Sequence, residues 1–445
     1  MVKVVVAERK YDCQHLLGQF LDEQHYDLLI EEDMDVYMPA NCDIGTQASC
    51  DKDCSSCNKG TDEKRIVLKF RKNYFSKEQQ DQAYKGLREA ATETQNRGVA
   101  AGPRGEKLGN REWVTEYESE MVDYFLDPYT SLDGDPVDDI IRRYKGKPPS
   151  PSNRNNVWSV NRVKQDNFNF DDWVENTRKL STAERIKAAN YVVDELICPT
   201  TYANSVYSGI AGWFDRYPRI PYGRATSYTQ RNPEKFAMAY PFLQTLAKGF
   251  KELLPRRYAA QMDAASKIDE AFLVPGTPFT TVTVNKTFRT AAHYDAGDFT
   301  EGLSNLLVLS NNGNYKGGYL VAPEYRVAVN VRPGDLLLIN NHEVMHGNTP
   351  IELLDEEAER VSLVVYFREK MLELGSKKYE DCRYNFVESR RKNPDHPMQR
   401  RLWNGVSQGM WASQEWYDFC KAELGEADLK KYHPEAFKSS LEDFF

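Results

Sequence analysis

The sequence lacks any apolar run that approaches the roughly 20 residues a membrane span requires. It also lacks a secretory signal, because the opening MVKVVVAERKYD becomes charged within a few residues. A surplus of positive charge is absent as well. The formal net charge of −9 argues against bulk attraction to nucleic acid, although a local basic patch can still contact phosphates. We therefore expect a cytoplasmic protein that makes no membrane contact.

Cysteine is scarce outside one cluster. The chain has 445 residues and eight cysteines. The four clustered ones are Cys42, Cys50, Cys54 and Cys57, with the spacing C-x7-C-x3-C-x2-C. Four thiolates so close together suit a tetrahedral zinc site in a reducing compartment. Only the last two form the usual C-x-x-C pair, so zinc binding and plain reduced cysteines both stay open.

The length exceeds what a single core usually supports, and we find no internal repeat. We expect an N-terminal segment over 1–64 that contains the cysteine cluster, a central domain over 65–370 and a C-terminal helical extension over 371–445. Within the central domain, the strand-rich core should span about residues 276–370.

Helical and strand patterns alternate along the chain. RIVLKF predicts a strand, and KEQQDQAYKGLREAATETQ predicts an amphipathic helix over 77–95. Residues 171–197 and 233–266 also have helical patterns. After Pro275, about seven short β-branched runs are separated by Gly, Pro and Asn turns. Such spacing indicates an antiparallel sandwich or jelly roll with flanking helices, which is an α+β fold.

A possible set of metal ligands follows the first of these strands. His293 and Asp295 form an H-x-D triplet, whose two ligands lie on the same face of extended structure. DLLLINNHEVMHGN offers His342 or His346 as the third ligand. We prefer His346, which precedes a turn and is nearer to Arg360. Two histidines and one carboxylate form the facial triad of non-haem Fe(II) oxygenases.

Arg360 opens the strand RVSLVVYF, with Ser362 on the same face. An iron-bound 2-oxoglutarate needs its distal carboxylate held, and an arginine fork beside a hydroxyl does this. Alternatively, Arg360 is a strand-edge arginine paired with an acid such as Glu357.

HEVMH also matches the H-E-x-x-H motif of zinc metalloproteases, in which two histidines lie one helical turn apart. That chemistry needs a continuous helix. Here the strand-like LLLIN leads in, and GNTP, with Gly347 and Pro350, would break a helix at once. The protease interpretation is therefore the weaker one.

The sequence resembles the TET and J-binding-protein dioxygenases, and especially their bacteriophage branch. The resemblance covers roughly residues 60–370. It depends on five blocks in matching order: ATETQNRGVAAGPRG, GWFDRYPRIPYGRATSYTQRNPEKF, TTVTVNKTFRTAAHYDAGDFTEG, YKGGYLVAPEYRVAVNVRPGDLLLINNHEVMHGNTPI and ERVSLVVYFRE. It implies a double-stranded β-helix (jelly-roll) core. It also implies that the central domain is an Fe(II)- and 2-oxoglutarate-dependent dioxygenase.

The resemblance also implies roles for individual residues. The iron ligands would be His293, Asp295 and His346, and the residues facing 2-oxoglutarate would be Arg360, Ser362 and Arg224. Arg224 can equally be a packing or surface arginine. Asp298 stands where TET enzymes use an asparagine to read the target base. This departure leaves the choice of base open.

The implied reaction uses Fe(II), 2-oxoglutarate and O2 to hydroxylate the 5-methyl group of a pyrimidine in DNA, with release of succinate and CO2. We expect 5-methylcytosine to be preferred, giving 5-hydroxymethylcytosine, with thymine as the alternative. The base would have to be flipped out of the duplex. A bacteriophage protein would act in the cytoplasm of its host cell.

Several alternatives stay open. The same chemistry could act on a nucleotide, a protein or a small molecule, and a non-catalytic DNA-binding module is the non-enzymatic option. The basic and aromatic segment SRRKNPDHPMQRRLW, residues 389–403, suits DNA contact, but a solvated face explains it nearly as well. The sequence gives no indication of the oligomeric state.

Overall fold

The computed structural model describes residues 2–39, 63–94, 96–103, 204–216, 220–391 and 408–437. The chain divides into two compact units, residues 1–102 with 205–445, and residues 103–204. The account below concerns the first unit. The four clustered cysteines, the predicted helix over 171–197 and most of the basic segment lie outside the described residues. No helix within the described part of the chain is long and apolar enough to cross a membrane.

The described residues contain sixteen strands. They are β1 (Lys3–Val6), β2 (Leu28–Ile30), β3 (Met34–Tyr37), β4 (Ile66–Arg71), β5 (Thr92–Thr94), β6 (Val206–Phe214), β7 (Arg224–Ala225), β8 (Thr281–Lys286), β9 (Ser304–Ser310), β10 (Tyr315–Gly317), β11 (Leu320–Ala322), β12 (Val327–Val329), β13 (Leu336–Ile339), β14 (Gly347–Asn348), β15 (Ile351–Leu353) and β16 (Arg360–Tyr366). Most of the predicted strands after Pro275 are confirmed, although the run ending at His293 forms only an isolated bridge.

Two sheets build the core. The larger one has the order β1-β3-β4-β13-β9-β16-β8-β6-β5, with β7 paired to β6, and the smaller one has the order β14-β11-β12-β2. An isolated bridge between His293 and His346 continues the smaller sheet beyond β14. A buried cluster joins the sheets, with Leu306 and Ile339 from the larger and Val327 from the smaller. The α+β fold with a jelly-roll core is therefore confirmed.

Eight α-helices flank the sheets in the described part of the chain. They are α1 (Lys77–Leu87), α2 (Ser227–Arg231), α3 (Pro233–Met238), α4 (Tyr240–Leu253), α5 (Pro255–Ala265), α6 (Lys377–Arg391), α7 (Gln414–Leu424) and α8 (Glu426–Tyr432). In α4, Phe242, Leu246 and Phe250 recur every fourth residue and lie in the same buried cluster as β8 and β16. Helices α6–α8 pack in a separate cluster around the fully buried Trp416. The predicted helices over 233–266 are thus confirmed, and the described residues beyond 371 include α6, α7 and α8.

Helix α1 is shorter than the sequence pattern predicts. Ser76 caps its first turn in a reciprocal pair with Gln79, but the helix ends at Leu87 and not at residue 95. Residues Thr92–Thr94 form β5 and pair antiparallel with β6. The prediction was wrong here because two threonines favour extended structure and β6 offers them backbone hydrogen-bond partners.

The N-terminal segment takes part in both sheets. Strand β1 pairs with β3, β3 pairs with β4, and β2 pairs in parallel with β12 of the smaller sheet. The sheets therefore continue across the boundary expected at residue 64. Residues 10–21 run beside the segment that leads to His293, because Gly18 and Gln19 form backbone hydrogen bonds with Ala292.

Candidate metal centre and its cavity

A cavity of about 490 Å³ lies between the two sheets. The side chains that line it come from β8, β9 and β16 on one side and from β11 and β14 on the other. The loop Asn96–Ala100 lines it as well. Most of the residues that the sequence singled out lie here: His293, Asp295, His346, Arg360, Ser362 and Asp298.

The potential iron ligands converge at one point of this cavity. One ligand atom from each of His293, Asp295 and His346 lies within 4.8 Å of the others. His293 Nε2 is 3.4 Å from Asp295 Oδ1, and His346 Nε2 is 3.9 Å from Asp295 Oδ2. The backbones of the two histidines exchange hydrogen bonds of 2.9 and 3.0 Å, which fixes the two rings side by side.

Backbone carbonyls determine which imidazole nitrogen is available to a metal. Nδ1 of His293 lies 2.7 Å from the Ala291 carbonyl, and Nδ1 of His346 lies 3.0 Å from the Val344 carbonyl. When Nδ1 donates to these oxygens, each Nε2 keeps its lone pair and points toward Asp295. This is the tautomer that metal-binding histidines use. The donor set therefore fits a divalent transition metal.

The electrostatics of Asp295 and His346 point the same way, whereas those of His293 do not. Burial opposes the charge of His293, but its hydrogen bond with Asp295 prevails and raises its pKa. Burial opposes the charge of Asp295, but its hydrogen bond with His293 and the proximity of His346 prevail and lower its pKa to about 2. Asn341 adds a hydrogen bond of 2.9 Å to the carboxylate. Burial, together with the nearby His293, lowers the pKa of His346 to about 4. At neutral pH the site thus offers an ionised carboxylate and a neutral His346 imidazole.

Arg360 lies in the same cavity and is almost completely buried, with 1% of its surface exposed. Nη2 donates to the Gly318 carbonyl at 3.0 Å, but Nε and Nη1 have no hydrogen-bond partner. Burial lowers the pKa of Arg360, and the nearby Tyr315 side chain opposes this effect. Gly318 permits this approach, because a Cβ there would lie 2.8 Å from the guanidinium Nε. Two buried donors without acceptors indicate a site for an anion.

Ser362 follows Arg360 by two residues on β16 and lines the same cavity. The alternative pairing of Arg360 with Glu357 is not what the structure shows. Glu357 is exposed, and its carbonyl accepts a hydrogen bond from Asn311.

Arg224 does not line this cavity. Its Nη1 donates to the Asp215 carbonyl at 3.1 Å, and its guanidinium lies 5.3 Å from the centre of the Phe214 ring. The pairing of β7 with β6 directs the side chain along Phe214. Two other arginines line the cavity besides Arg360, and the sequence analysis singled out neither. Arg368 forms an ion pair with Asp215, and Arg97 lies in the loop before Ala100.

Arg97 lies in a loop that is hydrogen-bonded to the segment just before His293. The Ala291 amide donates to the Ala100 carbonyl at 2.9 Å. Arg97 Nη2 donates to the Gly209 carbonyl at 3.2 Å, and the buried Nε has no partner. Burial lowers the pKa of Arg97, while the negative charge of Asp295 opposes this. Arg97 belongs to the block NRGVAAG, which the sequence analysis quoted for the family resemblance. Only the folded structure shows that this block lies next to His293.

Asp298 is buried at the cavity wall, with 6% of its surface exposed. The Ser304 hydroxyl donates to its carboxyl group. Burial, reinforced by the charge of Asp295, raises the pKa of Asp298 to about 8, although Ser304 and Arg368 act in the opposite direction. The carboxyl group therefore favours its protonated form at neutral pH, unlike that of Asp295.

The H-E-x-x-H motif does not form a zinc site. His342 and Glu343 are exposed in a turn, whereas His346 is buried and pairs with His293. Within the described residues, the one cluster of metal-binding side chains contains His346 and not His342. The metalloprotease interpretation was wrong because no helix passes through the motif.

The described end of the basic segment packs against protein. Arg390 lies 3.5 Å above the Phe386 ring and forms an ion pair with Glu415. This arginine therefore serves the contact between α6 and α7. The rest of the segment, from residue 392, lies outside the described residues.

Part of the chain is similar to a known protein family and to named proteins. Residues 209–369 match the Tet_JBP family model, described as the oxygenase domain of the 2OGFeDO superfamily. The chain is 34% identical over 177 residues to thymine dioxygenase JBP1 of Leishmania braziliensis and 39% identical over 166 residues to that of Trypanosoma brucei brucei. The first match covers 39% of this chain and 21% of the relative, and the second covers 36% and 19%.

The chain thus spans about a fifth of the length of these relatives. These relatives are trypanosomatid proteins, so membership of a bacteriophage branch stays a prediction. A solved structure of NgTET1 in complex with 5mC DNA is 16% identical, with a TM-score of 0.32 over 40% of this chain and 68% of that one. The family match includes His293, Asp295, His346, Arg360 and Ser362, but it begins well after Arg97. Over residues 209–369, the chain is thus similar to the oxygenase domain that the Tet_JBP model of the 2OGFeDO superfamily describes.

Proposed function

We propose that the chain is an Fe(II)- and 2-oxoglutarate-dependent dioxygenase that hydroxylates the 5-methyl group of a pyrimidine in DNA. One observation carries the proposal. A buried arginine with two unpaired nitrogens faces the same cavity as a two-histidine, one-carboxylate set whose ε-nitrogens converge. A metal chelator that is also a dicarboxylate satisfies both ends of this cavity at once.

Three side chains hold the iron in this proposal. His293 and His346 bind through Nε2, and Asp295 binds through its carboxylate. When bound, iron, 2-oxoglutarate and O2 together supply the oxidation that places a hydroxyl group on the methyl carbon and releases succinate and CO2. Asn341 holds the Asp295 carboxylate in place through the Oδ2 atom.

Two arginines receive the co-substrate. Arg360 presents Nε and Nη1 to the distal carboxylate, and Ser362 adds a hydroxyl group on the same face of β16. Arg97 presents its unpaired Nε beside the metal end. The co-substrate 2-oxoglutarate is negatively charged, whereas the pyrimidine base is neutral. Only 2-oxoglutarate can therefore balance the charge of a buried guanidinium.

The substrate is a base flipped out of DNA, because a methyl carbon within a stacked duplex cannot reach a cavity between two sheets. Asp298 faces this cavity and can form hydrogen bonds to the base. The curated relatives are named thymine dioxygenases. We therefore favour thymine over 5-methylcytosine, which reverses the preference drawn from the sequence. For the cysteine cluster, which lies outside the described residues, zinc binding and plain reduced cysteines both stay open.

Mass spectrometry of nucleosides tests the proposal. The protein is incubated with Fe(II), 2-oxoglutarate and ascorbate, and with DNA that contains thymine alone or thymine and 5-methylcytosine. We expect 5-hydroxymethyluracil, with succinate formed in proportion. A matched His346→Ala protein should give neither product. Oxidation of free nucleotides or of a protein instead of DNA would support the alternative substrates, and the absence of succinate under all conditions would refute the dioxygenase itself.

A further inference from the structure

Glu324 is a buried acid that the chemistry proposed above does not use. It lies in the short helical turn between β11 and β12, and 3% of its surface is exposed. Burying a carboxylate is costly unless its oxygens accept hydrogen bonds. The partners that satisfy this one are therefore informative.

The two carboxylate oxygens of Glu324 contact the two chain segments that contain the iron ligands. Oε2 accepts a hydrogen bond of 2.8 Å from the Met345 amide, directly before His346. Oε1 accepts a hydrogen bond of 3.0 Å from the hydroxyl of Tyr294, which stands between His293 and Asp295. One side chain thus joins the neighbours of all three ligands.

The N-terminal segment closes the other side of this arrangement. Lys10 Nζ lies 3.3 Å from Glu324 Oε1, and the Glu324 carbonyl accepts the Tyr11 amide at 2.8 Å. Gln14 donates to the Tyr294 hydroxyl at 3.0 Å.

Backbone hydrogen bonds also join the N-terminal segment to the residue before His293. The Gly18 amide donates to the Ala292 carbonyl and the Ala292 amide donates to the Gln19 carbonyl, both at 2.8 Å. A small apolar cluster fills the space between the segments, and it contains Cys13, Leu21, Ala292 and Met345. Residues 10–21 therefore form part of the wall that supports His293.

We propose that Glu324 is a positioning residue for the iron centre, and that together with residues 10–21 it fixes the separation of the two histidine-bearing segments. This inference rests on the proposed function. The His293 and His346 backbones already pair with each other, but two hydrogen bonds leave their tilt adjustable. A carboxylate that binds both flanking segments removes that freedom. Removing a residue that orients metal ligands through hydrogen bonds typically lowers metal affinity about 10- to 100-fold.

Cobalt(II) binding to the full chain tests the inference without requiring turnover. Glu324→Gln keeps the shape, but its amide has one oxygen for two donors, so one of the two segments loses its acceptor. We expect cobalt affinity to fall about tenfold, with a changed visible spectrum. Tyr294→Phe removes one arm and leaves the Met345 contact, so it should give a smaller loss and serves if Glu324→Gln fails to fold.

Asp335→Asn is the matched control. Asp335 is equally buried and accepts two backbone amides, from Asn73 and Arg332, with Lys72 at 3.2 Å, but it touches neither histidine segment. It should lower the unfolding temperature without changing cobalt affinity. Unchanged cobalt affinity and spectrum in folded Glu324→Gln and Tyr294→Phe would overturn the inference. If the unaltered chain binds cobalt no better than His346→Ala, the proposed iron centre fails first and the inference falls with it.

Discussion

The metal end and the arginine end of the cavity differ in how many of their polar groups form hydrogen bonds within the protein. At the metal end, each imidazole Nδ1 meets a carbonyl and Asp295 accepts from Asn341, so the ligands are oriented by the chain itself. At the other end, Arg360 is buried with two unpaired nitrogens. The metal end is therefore preorganised, whereas the arginine end becomes complete only when an anion binds.

The largest expected effect comes from the metal end. Replacing His293, Asp295 or His346 by Ala should abolish 2-oxoglutarate turnover, because each removes one of three protein ligands. His342→Ala, in an exposed position of the same segment, should retain substantial activity. Succinate release measures both. An inactive His342→Ala beside an active His346→Ala would reverse the ligand assignment.

Substitution at the arginine end should separate binding from stability. A hydrogen bond to a charged group contributes about 1.5–3 kcal/mol, so Arg360→Lys should weaken 2-oxoglutarate binding roughly 10- to 100-fold. Iron binding should change little. Calorimetric titration of the metal-loaded protein measures this affinity.

Arg360→Met sharpens the contrast further. Without co-substrate, its unfolding temperature should equal or exceed that of the unaltered chain, because the variant removes a buried cation with unpaired donors. Adding 2-oxoglutarate should stabilise the unaltered chain and leave the variant unchanged. A variant that is less stable in the absence of co-substrate would mean that Arg360 serves the fold and not the ligand.

A smaller effect on 2-oxoglutarate binding is expected from substitution of Arg97. Arg97→Gln should weaken 2-oxoglutarate binding about tenfold, since it removes one charged hydrogen bond inside the cavity. Arg224→Gln is the control, because Arg224 lies along Phe214 outside the cavity lining. The same titration compares them. If Arg224→Gln proves to be the weaker binder, the role implied by the family resemblance is correct and that of Arg97 is not.

The difference between the two arginines shows what the sequence could establish. The triad and Arg360 lie within about 70 residues of one another, in the part of the chain whose β-branched runs predict the jelly roll. Arg97 reaches the cavity only because Ala100 pairs with Ala291, nearly two hundred residues later. No local pattern contains such a pairing.

The same limit applies to the N-terminal segment and to α1. The short apolar runs before residue 40 do not indicate that β1, β2 and β3 join two different sheets. Residues 92–94 continued a helical pattern in the sequence, yet they pair with β6 as a strand. In both places long-range backbone pairing, and not local propensity, determines the structure.

The smallest expected effect concerns Asp298, which lies near the metal end but has the opposite protonation preference to Asp295. Its pKa of about 8 means that at pH 7 the carboxyl group offers one donor and one acceptor to a base, as an asparagine does. Above pH 8 it offers acceptors alone. The ratio of rates on thymine and 5-methylcytosine should therefore change between pH 7 and pH 9 in the unaltered chain, by about tenfold or less, because one reading hydrogen bond is worth roughly 1–3 kcal/mol.

Asp298→Asn should remove this pH dependence while keeping the ratio found at pH 7, since its amide does not titrate. The sign for stability follows from the same shift. A carboxyl group whose pKa is raised on folding disfavours the folded state increasingly as the pH rises from about 4 to about 8. Asp298→Asn should therefore gain in unfolding temperature relative to the unaltered chain over that range. Competition assays on DNA containing both bases, repeated at each pH, decide the first point. A ratio that changes with pH equally in both proteins would show that Asp298 supports the site without reading the base.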